Sequence, residues 1–139
     1  MIKVRDAKER DLITCDKLSK IPELKTPDGD YPDARYLRSF LNKGLFLVAE
    51  KSNKIVGYIA GEIVNGNIAY LNCLVVKNEF RSKRIGSRLL KEFNHIIKKL
   101  KINLIFFFAP KDNSKTIRFY EKNGYSKGKE YYFFKKKCQ

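Results

Sequence analysis

The sequence predicts an α+β fold in which a mostly antiparallel, twisted sheet of about seven strands is flanked by about four helices. Three observations carry this. Segments rich in β-branched and aromatic residues, separated by short polar turns, occupy residues 46–76. A stripe of apolar residues at helical spacing follows over residues 85–100. After it comes a continuous apolar segment, residues 103–108, and then a second amphipathic stretch. With 139 residues and no internal repeat, the chain reads as one domain, residues 1–139, built on one core.

Taken in order, residues 2–5 alternate as a strand. Asp6 and the following Ala7-Lys8-Glu9 start a helix with Leu12, Ile13 and Leu18 on one side. Residues 20–32 form a loop broken by Pro22, Pro27, Asp28-Gly29 and Pro32. Asp33 caps a second helix carrying Tyr36, Leu37, Phe40 and Leu41, with Gly44 just past its end. Strands are predicted at 46–50, 55–64 and 68–76, separated by Ser52-Asn53 and Asn65-Gly66. Asn-Gly is the stronger hairpin signal, so the three should form an antiparallel meander. The long helix places Ile85, Leu89, Leu90, Phe93, Ile96, Ile97 and Leu100 on one stripe. Residues 103–108 read as a buried strand and 114–122 as a helix stopped by Asn123-Gly124. Short strands at 125–127 and 131–135 close the chain.

Composition excludes several classes. A hydrophobic share of 43% argues against disorder, and no apolar run approaches the roughly 20 residues needed to span a bilayer. The first residues alternate like a strand and lack the apolar stretch of a signal peptide, so cytoplasmic residence is the expectation. Cys15, Cys73 and Cys138 are far apart and have no histidine cluster beside them, so neither metal nor disulfides are expected. Cys73 reads as a small core residue. His95 falls off the apolar stripe and should be exposed, which removes the commonest general base. The formal charge of +15 leaves two readings open. One is a lysine-rich surface suited to solubility or heat; the other is attraction to nucleic acid, ribosomes or an anionic cofactor.

The richest stretch is residues 70–90. A strand ends in a polar turn, the turn passes through a basic segment, and that segment leads directly into the amphipathic helix. Free amides and the dipole at a helix N-terminus, with Lys83, Arg84 and Arg88 nearby, make an anion site suited to a phosphorylated cofactor.

Two motifs give this site a sharper meaning. Arg81-Ser82-Lys83-Arg84-Ile85-Gly86 matches the pattern Gln/Arg-x-x-Gly-x-Gly/Ala. About 30 residues on, Asn113-Ser114-Lys115-Thr116-Ile117-Arg118-Phe119-Tyr120-Glu121-Lys122-Asn123-Gly124-Tyr125 matches Asn-x-x-Ala-x-x-Phe-Tyr-x-Lys-x-Gly-Phe/Tyr. On a strand–helix–strand–helix background, the chain resembles the GCN5-related N-acetyltransferase (GNAT) family along nearly its whole length. The resemblance implies acetyl-CoA as cosubstrate, with Arg81, Ser82, Lys83, Arg84, Ile85, Gly86 and Ser87 cradling its pyrophosphate. It implies a fourth strand splayed from the fifth at a bulge, so that Leu74, Val75 and Val76 offer backbone groups to the pantetheine arm. One of their amides would polarise the thioester carbonyl. Asn113 matches a cofactor-contacting position, although capping of the following helix would by itself explain an asparagine. Tyr120 matches the tyrosine that protonates the departing sulfur.

Two departures stand out. Arg84 replaces the first motif glycine and is expected to point outward with ordinary dihedrals for the start of a helix. Phe108 stands where related ribosomal-protein N-terminal acetyltransferases carry a glutamate, leaving Glu62 and Glu79 as candidate bases acting through water. The implied reaction is direct acetyl transfer to a primary amine: a peptide N-terminus, a lysine or a small amine. In this family the first two helices and their connection wall the acceptor site. Here residues 21–33 hold Glu23, Asp28, Asp30 and Asp33, a negative patch within a basic chain. A basic acyl-CoA-binding or nucleic-acid-associated module with little turnover is the competing reading, and a homodimer through the C-terminal strands is left open.

Overall fold

The computed structural model describes residues 1–138. Its first long-range framework is a five-stranded sheet in the order β1-β2-β3-β4-β5. The strands are β1 (Ile2–Asp6), β2 (Phe46–Lys51), β3 (Lys54–Asn65), β4 (Ile68–Val76) and β5 (Leu104–Phe106). The first three pairings are antiparallel and β4–β5 is parallel. A parallel pair needs a crossover, here supplied by α3 (Ile85–Lys99). The other helices are α1 (Leu12–Leu18), α2 (Ala34–Arg38) and α4 (Ser114–Lys122).

The two hairpins turn by different means. Ser52 and Asn53 both adopt left-handed backbone, φ 50° and 64°, as a tight two-residue hairpin requires. At the other turn Gly66 stays outside the left-handed region, and the Asn65 side chain accepts a 3.0 Å hydrogen bond from the Asn67 amide. The asparagine thus acts through its side chain.

Two faces of the sheet are covered. On one, Leu12, Cys15, Leu37 and Phe40 from the helical segments bury against Val48, Tyr58, Ala60, Cys73 and Val75. The period of two along β3 sends Gly57 and Gly61 to the opposite face. A Cβ on Gly57 would lie 3.4 Å from Leu89, and one on Gly61 would lie 2.6 Å from Phe93. α3 therefore rests directly on β3 at two glycines. Ile85, Leu89, Leu90, Phe93 and Ile97 are its buried residues, each side chain contributing roughly 1.5–3 kcal/mol by burial.

The buried polar groups are tied. The Ser19 hydroxyl lies 2.6 Å from the Tyr58 hydroxyl and donates to the Cys15 carbonyl at 2.6 Å. Arg5 donates to both carboxylate oxygens of Asp11, at 2.8 and 3.0 Å, and to Glu50 at 2.8 Å.

Several expectations are corrected. The sheet has five strands, not about seven, because 125–127 and 131–135 take no regular secondary structure. A composition rich in aromatic residues marks a segment able to pair, but a strand exists only with a partner ladder. Tyr131, Tyr132, Phe133 and Phe134 are all exposed. β5 is three residues rather than six, and Leu104 and Phe108 are exposed rather than buried. The first helix begins later, after a 3-10 turn at Glu9–Asp11, and Ile13 faces outward while Cys15 takes the buried place. Leu100 lies past the end of α3 and is exposed.

The backbone divides into two compact units, Met1–Phe107 and a second beginning at Phe108. Within the second, Asn113 caps α4, its side-chain oxygen accepting from the Thr116 amide at 3.2 Å. Gly124 ends that helix with φ 93°.

Candidate functional site

The strand–turn–helix segment of the first unit holds most of the expected cofactor residues. β4 runs into a 3-10 turn at Asn78–Phe80, and residues 81–84 then lead into α3. Ser82 and Arg84 both take left-handed backbone, φ 64° and 65°. Arg84 therefore does not have the ordinary dihedrals expected for the start of a helix. It holds the conformation that the motif glycine adopts freely, so the turn survives the change of residue. No side chain caps α3. The Arg88 amide bonds the Arg84 carbonyl at 3.0 Å, so the amides of Ile85, Gly86 and Ser87 precede the first helical acceptor and are available to an anion.

The basic side chains divide by role. Arg81 is anchored: its Nε donates to the Val76 carbonyl at 3.1 Å, and its guanidinium lies 4.0 Å from Glu23. Arg88 is spent on structure, donating to the Ile2 carbonyl at 2.6 Å. Lys83 and Lys51 place their ammonium groups 5.6 and 5.4 Å from the centre of the Phe80 ring. Ser82, Lys83 and Arg84 are exposed.

β4 supplies the second part. Its ladder with β5 covers Ile68–Leu104, Ala69–Ile105 and Tyr70–Phe106 and then stops. From Leu71 to Val76, including Leu74 and Val75, the ladder partner among the described residues is β3 alone. A bulge falls in the same place: Ala60 pairs with Cys73 and Gly61 with Leu71, leaving Asn72 as the extra residue. An open strand edge beside a bulge can accept an extended ligand arm through backbone hydrogen bonds.

The candidate bases lie at opposite ends of β4. Glu62 pairs in register with Tyr70 at its beginning. Glu79 follows its end, exposed, 3.5 Å from Lys77. A hydrogen bond with its own backbone amide, and then Lys77, hold the Glu79 carboxyl below the ordinary range, which weakens it as a base.

A group that sequence reasoning missed surrounds the bulge. Asn72 donates through Nδ2 to the Tyr36 hydroxyl of α2 at 2.8 Å. Tyr36 packs edge-on against Phe40 at 5.1 Å, and Tyr70 packs against Phe106 at 4.9 Å. Desolvation raises the phenol pKa of both tyrosines, and the Glu62 carboxylate adds to the rise in each. Asn72 Oδ1 is buried and has no hydrogen-bond partner. One signal was visible: Asn72 interrupts an otherwise apolar strand. Nothing local marked Tyr36, which reaches the site only through packing of α2.

In the second unit, Asn113 serves as the α4 cap and Tyr120 sits on the same helix, in edge contact with Phe119 and Tyr125 at 5.1 and 5.5 Å. Cys73 is buried as expected, its thiol pushed up to about 11 by desolvation, and His95 is exposed.

The comparisons agree with this geometry. Residues 42–127 match the acetyltransferase (GNAT) domain family. An uncharacterised N-acetyltransferase of Methanocaldococcus jannaschii is 32% identical over 124 residues, covering 88% of this chain and 76% of that protein. Spermidine N(1)-acetyltransferase of Thermoplasma acidophilum is 37% identical over 81 residues, which is 58% of this chain. The match spans about half, 50%, of that relative's length. The crystal structure of the PaiA N-acetyltransferase of T. acidophilum in complex with coenzyme A aligns with TM-score 0.77 and 26% identity, over 91% of this chain and 90% of that one. The free amides at the start of α3, the open β4 edge and these matches lead to one conclusion: the chain belongs to the GNAT family of acetyl-CoA-dependent acetyltransferases.

Proposed function

We propose that this protein transfers the acetyl group of acetyl-CoA to a primary amine. The observation that carries the reading is the uncapped N-terminus of α3, reached through left-handed Ser82 and Arg84 at the end of a strand whose outer edge is open. Such a segment offers amides for a pyrophosphate and a strand edge for an extended arm. In this reading the amides of residues 81–87 hold the phosphates and the backbone of Leu74, Val75 and Val76 holds the pantetheine. The chemistry supplied by the bound thioester is an activated carbonyl: the amine nitrogen forms the new C–N bond as the C–S bond breaks. The amine proton passes to base, and the thiolate leaves with a proton from an acid.

The family motif assigns that acid to Tyr120 and a cofactor contact to Asn113. Of the two carboxylates, Glu62 suits the base better, because it lies opposite Tyr70 on the α2 side of the sheet, whereas Glu79 is held to Lys77. The acceptors named for relatives support an amine as the nucleophile, since one is a spermidine acetyltransferase. Calorimetry with acetyl-CoA and CoA, followed by thiol release on an amine panel, tests the proposal. Binding with turnover on at least one amine is expected. Cofactor binding without turnover on any amine would favour a non-catalytic acyl-CoA-binding module.

A further inference from the structure

The net charge of +15 is spread unevenly over the first unit. Residues 84–101, which are α3 and its flanks, hold six lysines and arginines against one acidic residue. Residues 6–33, which include α1 and most of its connection to α2, hold five against eight. The two segments cover opposite faces of the sheet. Leu12 and Cys15 of α1 bury against Val48, Tyr58 and Val75, whereas α3 rests on β3 at Gly57 and Gly61. The fold therefore separates charge across its thickness, where a coat of lysines serving solubility alone has no reason to be one-sided.

Within α3 the cations form a row. Arg84, Arg88, Lys91, His95 and Lys98 follow at intervals of four, three, four and three residues. At 3.6 residues per turn such intervals keep to one side of a helix. That side is opposite the buried Leu89, Phe93 and Ile97, and all five residues are exposed. With a rise of 1.5 Å per residue the row is about 21 Å long. Glu92, the one acidic residue of α3, lies about 80° round the helix from it. Among the described residues, no ion pair includes Arg84 or any residue of α3. Arg88 gives one N–H to the Ile2 carbonyl and keeps its charge and its other donors.

We propose that this row is a nucleic-acid-binding surface that holds a sugar–phosphate backbone without reading its bases. Successive members of the row lie about 4.5–6 Å apart along the axis, close to the separation of successive phosphates in an extended strand. The row itself carries no aromatic ring on which a base would stack, so contact is with phosphates and sequence is not read. Its chemistry disfavours other polyanions. A lipid surface needs apolar side chains to insert, and those of α3 are buried against the sheet. An acidic protein needs apolar or aromatic anchors at the centre of the contact, and the row has none. Nucleic acid needs only cations set against phosphates. The inference stands apart from the acetyltransferase reading.

A labelled oligouridine RNA of about 20 nucleotides, titrated with the full chain between about 50 and about 200 mM salt, reads the affinity by fluorescence anisotropy. With Arg84, Arg88, Lys91 and Lys98 engaged, log affinity against log salt should have a slope of about −3. Lys91→Gln/Lys98→Gln should make the slope shallower by about 1.4 and weaken binding at least about tenfold at the lowest salt. Lys17→Gln/Lys25→Gln removes the same charge from exposed positions of α1 and the α1–α2 connection, and should change neither. Equal losses in the two double variants would show that overall charge alone attracts the RNA, and would overturn the row as a site. Displacement of the RNA by saturating CoA would place it at the start of α3, with the same consequence. Polyglutamate of similar length binding as tightly as the RNA would overturn nucleic acid as the partner. No binding of oligouridine at about 50 mM salt would overturn the surface outright. Failure of the protein to bind CoA, with the RNA results as expected, would overturn the acetyltransferase reading and leave the row standing.

Discussion

Arg84 is the residue on which the loop before α3 turns, because it keeps φ 65° without being glycine. Left-handed backbone costs an L-residue on the order of 1–2 kcal/mol, partly offset by the larger unfolded-state entropy of glycine at the same place. Arg84→Gly should therefore leave stability unchanged or raise it by up to about 1 kcal/mol, with CoA affinity retained. Arg84→Val should lose about 1–2 kcal/mol or more, since β-branched residues resist this region. Urea melts and CoA calorimetry on both variants check the point, and a valine variant as stable as wild type would show that the turn is not under strain. The buried thiols allow a prediction in pH. Burial raises Cys15 from its ordinary value of 9.0 to about 12 and Cys73 to about 11. A group whose folded pKa is raised gives its full contribution below the unfolded value, and that contribution is lost as pH rises toward the folded one. Stability should hold below pH 9 and fall between there and about pH 11–12, with a shallower fall in a Cys15→Ala/Cys73→Ala double variant. In the native protein at pH 8, a thiol reagent should modify exposed Cys138 quickly and the other two only on unfolding.

At the scale of elements, the contact between α3 and β3 depends on Gly61. A methyl group there would sit 2.6 Å from the Phe93 ring and 2.8 Å from the Tyr70 carbonyl, whereas one on Gly66 would meet nothing within 4 Å. Gly61→Ala should cost about 1–3 kcal/mol through overpacking, and Gly66→Ala should be near neutral; paired thermal melts would expose any failure of that contrast. What the sequence made legible follows the range of each signal. The α3 stripe and the β2–β4 meander were readable because helical and two-residue periodicity are properties of the segment itself. Residues 125–127 and 131–135 carry a strand-like composition, yet pairing depends on an edge elsewhere in the chain, and composition does not report that edge. The same reason hid the contacts around the bulge. Asn72 advertised itself as a polar break in an apolar run, but its partner Tyr36 is 36 positions away. The strand–turn–helix order around the motif loop was legible, but reading its backbone from residue type alone gave Arg84 the wrong dihedrals.

For the whole molecule, the charge of +15 acts with opposite sign on the two substrates of the proposed reaction. CoA is polyanionic and is drawn toward the protein at long range, while an ammonium is repelled and a polyamine more strongly so. These are interactions between solvent-exposed charges, so salt weakens them as the Debye length falls from about 10 Å at 0.1 M to about 3 Å at 1 M. Contacts at short range in a partly buried site are screened much less. Raising sodium chloride across that range should therefore lower kcat/KM for acetyl-CoA and raise kcat/KM for spermidine relative to pentylamine. Measuring kcat/KM for all three at four salt concentrations separates the two ranges. Parallel slopes for spermidine and pentylamine would show that the protein's overall charge does not discriminate between them.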